Sequence, residues 1–265
     1  MLAGRFFLCH TLRMDQPSPK TILITGASSG LGAEMARQFA ALGHDLALCA
    51  RRTDRLDELA VEITTAHPQA RVGIKALDVT DHDAVFRVFE EFREELGGID
   101  KVVVNAGLGK GQPLGTGRFD ANRETAETNF IGALAQTEAA AQIFRAQNSG
   151  HLVMVSSFSA LRGMPKNITT YAATKAAVAH LAEGFRADVH GTPIKVTVLY
   201  PGYIVSEMSG TSAKTPLMAS TEKGVRAMVE AIEKEKRSAR VPAWPWAPLG
   251  FVVKHVPVGV LRRMG

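Results

Sequence analysis

Residues Thr21–Ala50 read TILITGASSGLGAEMARQFAALGHDLALCA. Thr21–Thr25 is a short β-branched run and reads as a buried strand. It passes directly into Gly26-Ala-Ser-Ser-Gly30-Leu-Gly32. A helix is expected over Ala33–Leu42, and Leu46–Ala50 is a second apolar strand. Strand, glycine turn, helix and strand in that order form a βαβ unit, whose strands must be parallel. Gly26 permits a tight turn, Gly30 lets backbone N–H groups approach a pyrophosphate, and Gly32 lets the helix lie close to the strand. The helix N-terminus adds partial positive charge beside Ser28, Ser29 and Leu31. The unit predicts a dinucleotide site rather than a plain glycine-rich turn.

The residues after the second strand refine that reading. An acidic side chain there would bind a ribose 2′-hydroxyl, but the sequence is Ala50-Arg51-Arg52. Arg51, with Arg52 beside it, offers a planar cation for a 2′-phosphate, which points to NADP(H) over NAD(H). The bland alternative is that these arginines open the solvated face of a helix over Thr53–Ala66.

The same alternation continues along the chain. Further strands are expected at Arg71–Leu77, Ile99–Val104, His151–Ser156, Ile194–Leu199 and Ala239–Val241. Helices are expected at Asp81–Leu96, Asn122–Ala146, Tyr171–Val189 and Thr221–Glu235, with Asp81 a good N-cap. The expected fold is α/β: a Rossmann-like, doubly wound parallel sheet of about seven strands in a single domain. The expected organisation is a flexible extension over 1–19, a catalytic domain over 20–241 and an apolar, basic tail over 242–265.

A second constellation lies at Ser156–Lys175, SSFSALRGMPKNITTYAATK. On a helix, Tyr171 and Lys175 share one face. A phenol beside an ammonium is a plausible proton donor, because the cation stabilises the phenolate. Taken alone, the pair could be an ordinary surface i,i+4 contact.

With the form Thr-Gly-x-x-x-Gly-x-Gly at Thr25–Gly32 and Tyr-x-x-x-Lys at Tyr171–Lys175, the sequence resembles the short-chain dehydrogenase/reductase family over about Lys20 to Val241. The resemblance implies Asp78 and Val79 beside the adenine and Asn105-Ala106-Gly107 beside the cofactor. It also implies contacts from Pro201, Gly202, Ile204 and Ser206 to the nicotinamide end. Ser206 stands where threonine is usual, and Val104 where a second Asn is common. The implied catalytic set is Asn129, Ser157, Tyr171 and Lys175. Tyr171 would give the proton and Ser157 orient the carbonyl. Lys175 would hold ribose hydroxyls and lower the Tyr171 pKa, while Asn129 would bend its helix and hold a water in a proton relay. The Ser157-to-Tyr171 gap is fourteen positions, one longer than the family's common spacing. This leaves Ser159 as a second choice and Leu161–Thr170 as a substrate-facing loop.

The implied enzyme interconverts a carbonyl and an alcohol by hydride transfer with NADP(H). Leu161, Met164, Met208, Leu217 and Met218 suggest a hydrophobic or lipid-like substrate. The alternatives are a 3-oxoacyl thioester reductase, with Lys110, Arg118, Arg162, Lys166 or Lys214 at the mouth, and a non-catalytic NADP-binding sensor. Met208–Leu217 reads as a lid.

Net charge is +5, but no stripe of basic and aromatic residues suggests nucleic acid. Cys9 and Cys49 imply no disulfide framework, which favours a reducing, cytoplasmic setting. No histidine spacing suggests a metal. No segment is long and apolar enough to span a bilayer. MLAGRFFLCHTLRM makes a poor signal peptide; Met14 is at least as good a start, and Asp15–Pro19 reads as a lead-in. The tail's tryptophans and basic residues suit a pocket flap, a dimer contact or an anionic membrane surface. Ala-rich faces at Ala133–Ala146 and Ala172–Ala187 suit a homodimer or homotetramer.

Overall fold

The computed structural model describes residues 19–207 and 217–264, with the backbone alone for 262–264. The proposed start site, Cys9, Met208, Lys214 and most of the Met208–Leu217 lid lie outside the described residues.

Seven parallel strands make one sheet in the order β3-β2-β1-β4-β5-β6-β7. They are β1 Thr21–Thr25, β2 Asp45–Ala50, β3 Val72–Ala76, β4 Lys101–Val104, β5 His151–Val155, β6 Lys195–Pro201 and β7 Ser238–Val241. The order reverses between β1 and β4, which opens a crevice at the carboxyl ends of the strands, where open α/β sheets bind ligands. Strands β1, β2, β4 and β5 are buried along their whole length, as expected of strands covered by helices on both faces.

Helices α1 Gly30–Ala41, α2 Thr53–Ala66 and α3 His82–Leu96 cross between the early strands. Helix α1 begins earlier than its apolar pattern suggests, because the last two glycines of the turn are already helical. Asp81 caps α3: its carboxylate accepts the Ala84 N–H at 3.0 Å. The helix expected over Asn122–Ala146 is instead α4 Phe119–Ala126 and α5 Gly132–Gln147, separated by a π-turn at Glu127–Ile131. Helix α6 spans Thr169–Asp188 and α7 spans Thr221–Glu233.

The alanines proposed to face a second copy are partly spent inside the protomer. Ala133, Ala139, Ala140 and Ala182 belong to the core on one side of the sheet.

The tail forms two helices, α8 Ala243–His255 and α9 Val258–Met264. Trp244 is non-helical, so the regular part of α8 begins after it and Pro248 falls in that first turn, where a missing N–H breaks no intrahelical bond. No helix among the described residues is long and apolar enough to cross a membrane.

Candidate active site

The glycine turn is held rigidly from beneath. Gly26 has φ +64, and a Cβ there would lie 3.0 Å from the Ala106 Cα. A Cβ on Gly32 would lie 2.4 Å from the Gly26 carbonyl oxygen. Both positions therefore exclude any side chain. Thr25 Oγ1 accepts the backbone N–H groups of Asn105 and Ala106, each at 3.1 Å. Asn105 Nδ2 in turn donates to the Thr25 carbonyl at 2.9 Å. This lacing couples the ends of β1 and β4, on the two sides of the strand-order reversal. Thr25 was not singled out from sequence; a polar residue closing a buried strand was the available signal.

At the end of β2, Arg51 Nη1 stands 3.9 Å from Asp78 Oδ2. Burial opposes the Asp78 charge, but hydrogen bonds from Thr80 and the charge of Arg51 hold the carboxyl below its usual range. Val79 packs beneath the π-turn: a Cβ on Gly132 would meet the Val79 carbonyl oxygen at 2.9 Å.

Arg52 donates to Ser28 Oγ at 3.3 Å, Ser29 Oγ at 2.7 Å and Glu207 Oε2 at 3.1 Å. Arg55 reaches the same carboxylate at 2.5 Å. Hydrogen bonds from Ser29, Arg52 and Arg55 hold Glu207 below the usual carboxylate range. Glu207 was not anticipated, because its partners lie about 150 residues away in the chain.

The segment after β6 comes over this turn. Gly202 N–H donates to the Val241 carbonyl at 3.0 Å, and Ile204 pairs with Ala219. A Cβ on Gly30 would stand 3.5 Å from Ser206 Cβ. Leu31 is half-buried on the first turn of α1.

The second constellation converges beside it. Ser157 stands by the Tyr171 phenol and draws its pKa down. Between them lie two short 3-10 turns, Phe158–Leu161 and Lys166–Ile168. Ser157 Oγ also accepts from the Ser159 hydroxyl at 3.0 Å and the Ser159 N–H at 3.2 Å. Ser156 is occupied elsewhere, donating to the Lys175 carbonyl at 2.7 Å.

Lys175 is 5% exposed. Its ammonium donates to the Val155 carbonyl at 2.9 Å, and burial pushes its pKa down to about 8. The Nζ lies 6.0 Å from the Tyr171 ring centroid. Burial pushes the Tyr171 phenol up, and the opposing pull comes from Ser157. The sequence expects Lys175 to lower this phenol, but the ammonium is directed at a backbone carbonyl.

Asn129 sits in the π-turn. Its Oδ1 accepts the Leu108 N–H at 2.6 Å, and its Nδ2 donates to the Leu108 carbonyl at 2.8 Å and Thr174 Oγ1 at 3.3 Å. A Cβ on Gly107 would lie 3.1 Å from Asn129 Oδ1 and 3.4 Å from Lys175 Nζ. A side chain at this position would crowd both groups.

The mouth is aromatic on its tail side. Trp246 packs edge-on to Phe158 at 4.8 Å and to Tyr203 at 5.2 Å. A Cβ on Gly202 would fall 2.1 Å from the indole. Lys110 pairs with Glu124 at 2.9 Å and Arg118 with Asp120 at 3.1 Å. No cluster of three or more metal-ligating side chains occurs among the described residues.

Comparison with known proteins places the chain in a family and supports its fold. The model of the family described as short chain dehydrogenase matches residues 20–217. An uncharacterized oxidoreductase of Mycobacterium tuberculosis is 53% identical over 242 residues, covering 91% of this chain and 96% of that one. The structure of an alcohol dehydrogenase from Thermococcus sibiricus, complexed with 5-hydroxy-NADP, is 26% identical with a TM-score of 0.75; the match covers 83% of this chain and 95% of that one. A Burkholderia phymatum short chain dehydrogenase/reductase in complex with NAD shares the fold at 20% identity and a TM-score of 0.79, covering 93% and 95%. The chain belongs to the short chain dehydrogenase family of oxidoreductases.

Proposed function

We propose that this protein is an NADP(H)-dependent oxidoreductase that interconverts a carbonyl and an alcohol on a hydrophobic substrate. The observation that carries the reading is a buried Lys175 that pairs with no carboxylate among the described residues, one helical turn from Tyr171 and across Gly107 from Asn129.

The turn fits a dinucleotide: it opens onto the N-terminus of α1, and its tight path exists only because Gly26 and Gly32 carry no Cβ to collide with Ala106, Asn105 and the turn's own backbone. Gly26, Ser28, Ser29, Gly30, Leu31 and Gly32 would hold the pyrophosphate, with Arg51 and Arg52 at the 2′-phosphate. Asp78 and Val79 would bound the adenine. Asn105, Ala106 and Gly107, with Pro201, Gly202, Ile204 and Ser206, would frame the nicotinamide. Bound there, the nicotinamide donates or accepts the hydride.

The chain's own groups handle the proton. With its pKa pushed up by burial, Tyr171 is a protonated phenol at neutral pH and gives its proton to the carbonyl oxygen. The Ser157 hydroxyl orients that oxygen. Lys175, charged below about pH 8, directs its remaining N–H bonds at the ribose and returns a proton toward Tyr171. Asn129 braces the Leu108 loop across Gly107 from Lys175 and would hold the water of that relay. Phe158, Trp246 and Tyr203 favour an apolar substrate. The thioester alternative gains no support from Lys110 or Arg118, which are already paired with carboxylates.

The test is NADPH absorbance with a panel of hydrophobic ketones, aldehydes and alcohols. Tyr171→Phe should abolish turnover and leave NADPH binding nearly intact; comparable activity in the variant rejects Tyr171 as the acid. Arg51→Ala should weaken NADPH far more than NADH, and equal effects would remove Arg51 as a phosphate ligand.

A further inference from the structure

Helix α8 has two faces of different character. Trp246, Gly250 and Val253 point inward and are buried, and Trp246 and Gly250 pack against the mouth of the site. The opposite flank carries Phe251, Val252 and His255, with Val258 and Val260 following on α9. Trp244 is 79% exposed, Phe251 70% and Val258 73%. Large apolar side chains standing this far into solvent in one short region call for a covering partner.

Charge decides what that partner is. From Ala243 to Gly265 the chain contains Lys254, Arg262 and Arg263 and no Asp or Glu. A second copy docked face to face would bring positive charge against positive charge with no carboxylate to pair it. The patch also has few groups able to make directional hydrogen bonds, so a partner that asks only for apolar burial and negative charge fits best. Helices of 13 and 7 residues are too short to span a bilayer and suited to lie in its surface.

We propose that the outer face of α8 and α9 docks on an anionic lipid surface, with Trp244, Phe251 and Val258 inserted among the headgroups and Lys254 above them. The inner face of the same helix is bound to the site. Trp246 covers Gly202 and touches Phe158, the residue after Ser157, and Arg162 donates to the Lys254 carbonyl at 2.5 Å. Docking therefore turns the mouth of the site toward the bilayer, from which an apolar substrate would enter. Only this last clause rests on the proposed carbonyl reaction.

The test is co-sedimentation of the full chain with phosphatidylcholine vesicles, with and without phosphatidylglycerol. Binding should be at least about tenfold stronger to the anionic vesicles and should weaken with salt. Phe251→Glu with Val258→Glu should lose about tenfold or more, and Lys254→Glu about fivefold, the effect of about one basic contact near the surface. Turnover of a water-soluble carbonyl and the thermal melt should stay unchanged in these variants. Equal binding to both vesicle types, or variants that bind like the parent, overturns the proposal. So does a parent that elutes as a dimer which Phe251→Glu dissociates, because the face is then an interface between copies. Vesicle binding is read without turnover, so a failed carbonyl assay leaves it standing.

Discussion

Two lysines are buried at opposite ends of the sheet, and they differ in what surrounds them. Lys101, at the start of β4, is 1% exposed and Lys175 is 5% exposed. The Lys101 ammonium meets Glu233 at 2.6 Å, and His44 approaches the other oxygen of that carboxylate at 3.6 Å. Lys175 is given one backbone carbonyl and, among the described residues, no carboxylate. A buried charge is costly unless it is paired. At Lys101 the pairing fixes α7 to the sheet. At Lys175 the cost is left standing, and the pKa falls to about 8. One lysine left without a carboxylate at the crevice and another neutralised at the far end is the contrast expected if Lys175 has the proposed proton role and Lys101 a structural one.

The largest expected effect comes from exchanging each lysine for a neutral isostere. Lys175→Met should reduce turnover by about a hundredfold or more, by analogy with the loss of positioned acid–base groups, while stability holds or rises. Lys101→Met should do the reverse: it strands Glu233, lowers the denaturation midpoint and leaves turnover per folded molecule unchanged. If both variants lose stability alike, the comparison fails.

Next is Glu233→Gln, which leaves Lys101 charged and unpaired. Breaking a fully buried pair costs about 3–5 kcal/mol. Glu233 keeps 31% of its side chain in water, so about 2–3 kcal/mol is expected from chemical denaturation.

A smaller effect should appear on acidification. Burial, then the charge of Lys101, pushes His151 down to about 3 from 6.5. The unfolded chain therefore takes up a proton below pH 6.5 that the folded chain refuses, and stability falls from there toward pH 3. Burial works against the Glu233 charge, yet hydrogen bonds from His44 and Lys101 hold the carboxyl at about 2 instead of 4.5. Its contribution is complete above pH 4.5 and is lost as pH falls through about 2. Denaturation midpoints against pH should show both windows, and His151→Gln should remove the upper one.

The smallest effect tests the contact near the proposed phosphate site. Glu207 occupies Arg52 and Arg55, so an incoming phosphate must displace it. Exposed pairs of this kind are weak. Glu207→Gln should tighten NADPH by about threefold and leave NADH unaffected; tightening of both dinucleotides would sever Glu207 from the phosphate.

Periodicity and punctuation made most of the fold legible. Apolar runs with glycine or polar stops located all seven strands within a few residues, because a doubly covered strand must be apolar on both faces. The glycines of the first turn were legible because no other residue tolerates those close approaches. The π-turn was foreshadowed only by Asn129, a residue out of place in a helix. The tail helices were obscured by their prolines, which are harmless where they fall. Glu207 carried no signal and Thr25 only that of a polar residue closing a buried strand, because each matters through partners distant in sequence.

The sequence by itself determined the parallel sheet, its crevice and the residue types gathered there. Those follow from local rules of strand burial, turn geometry and helix periodicity. Only the tertiary structure decided which serine of the pair faces Tyr171, which way the Lys175 ammonium points and that burial raises the phenol. It also decided that one face of α8 seals the mouth while the other stands in solvent. These are matters of desolvation and long-range contact, and a side chain acquires them only from neighbours that folding brings to it.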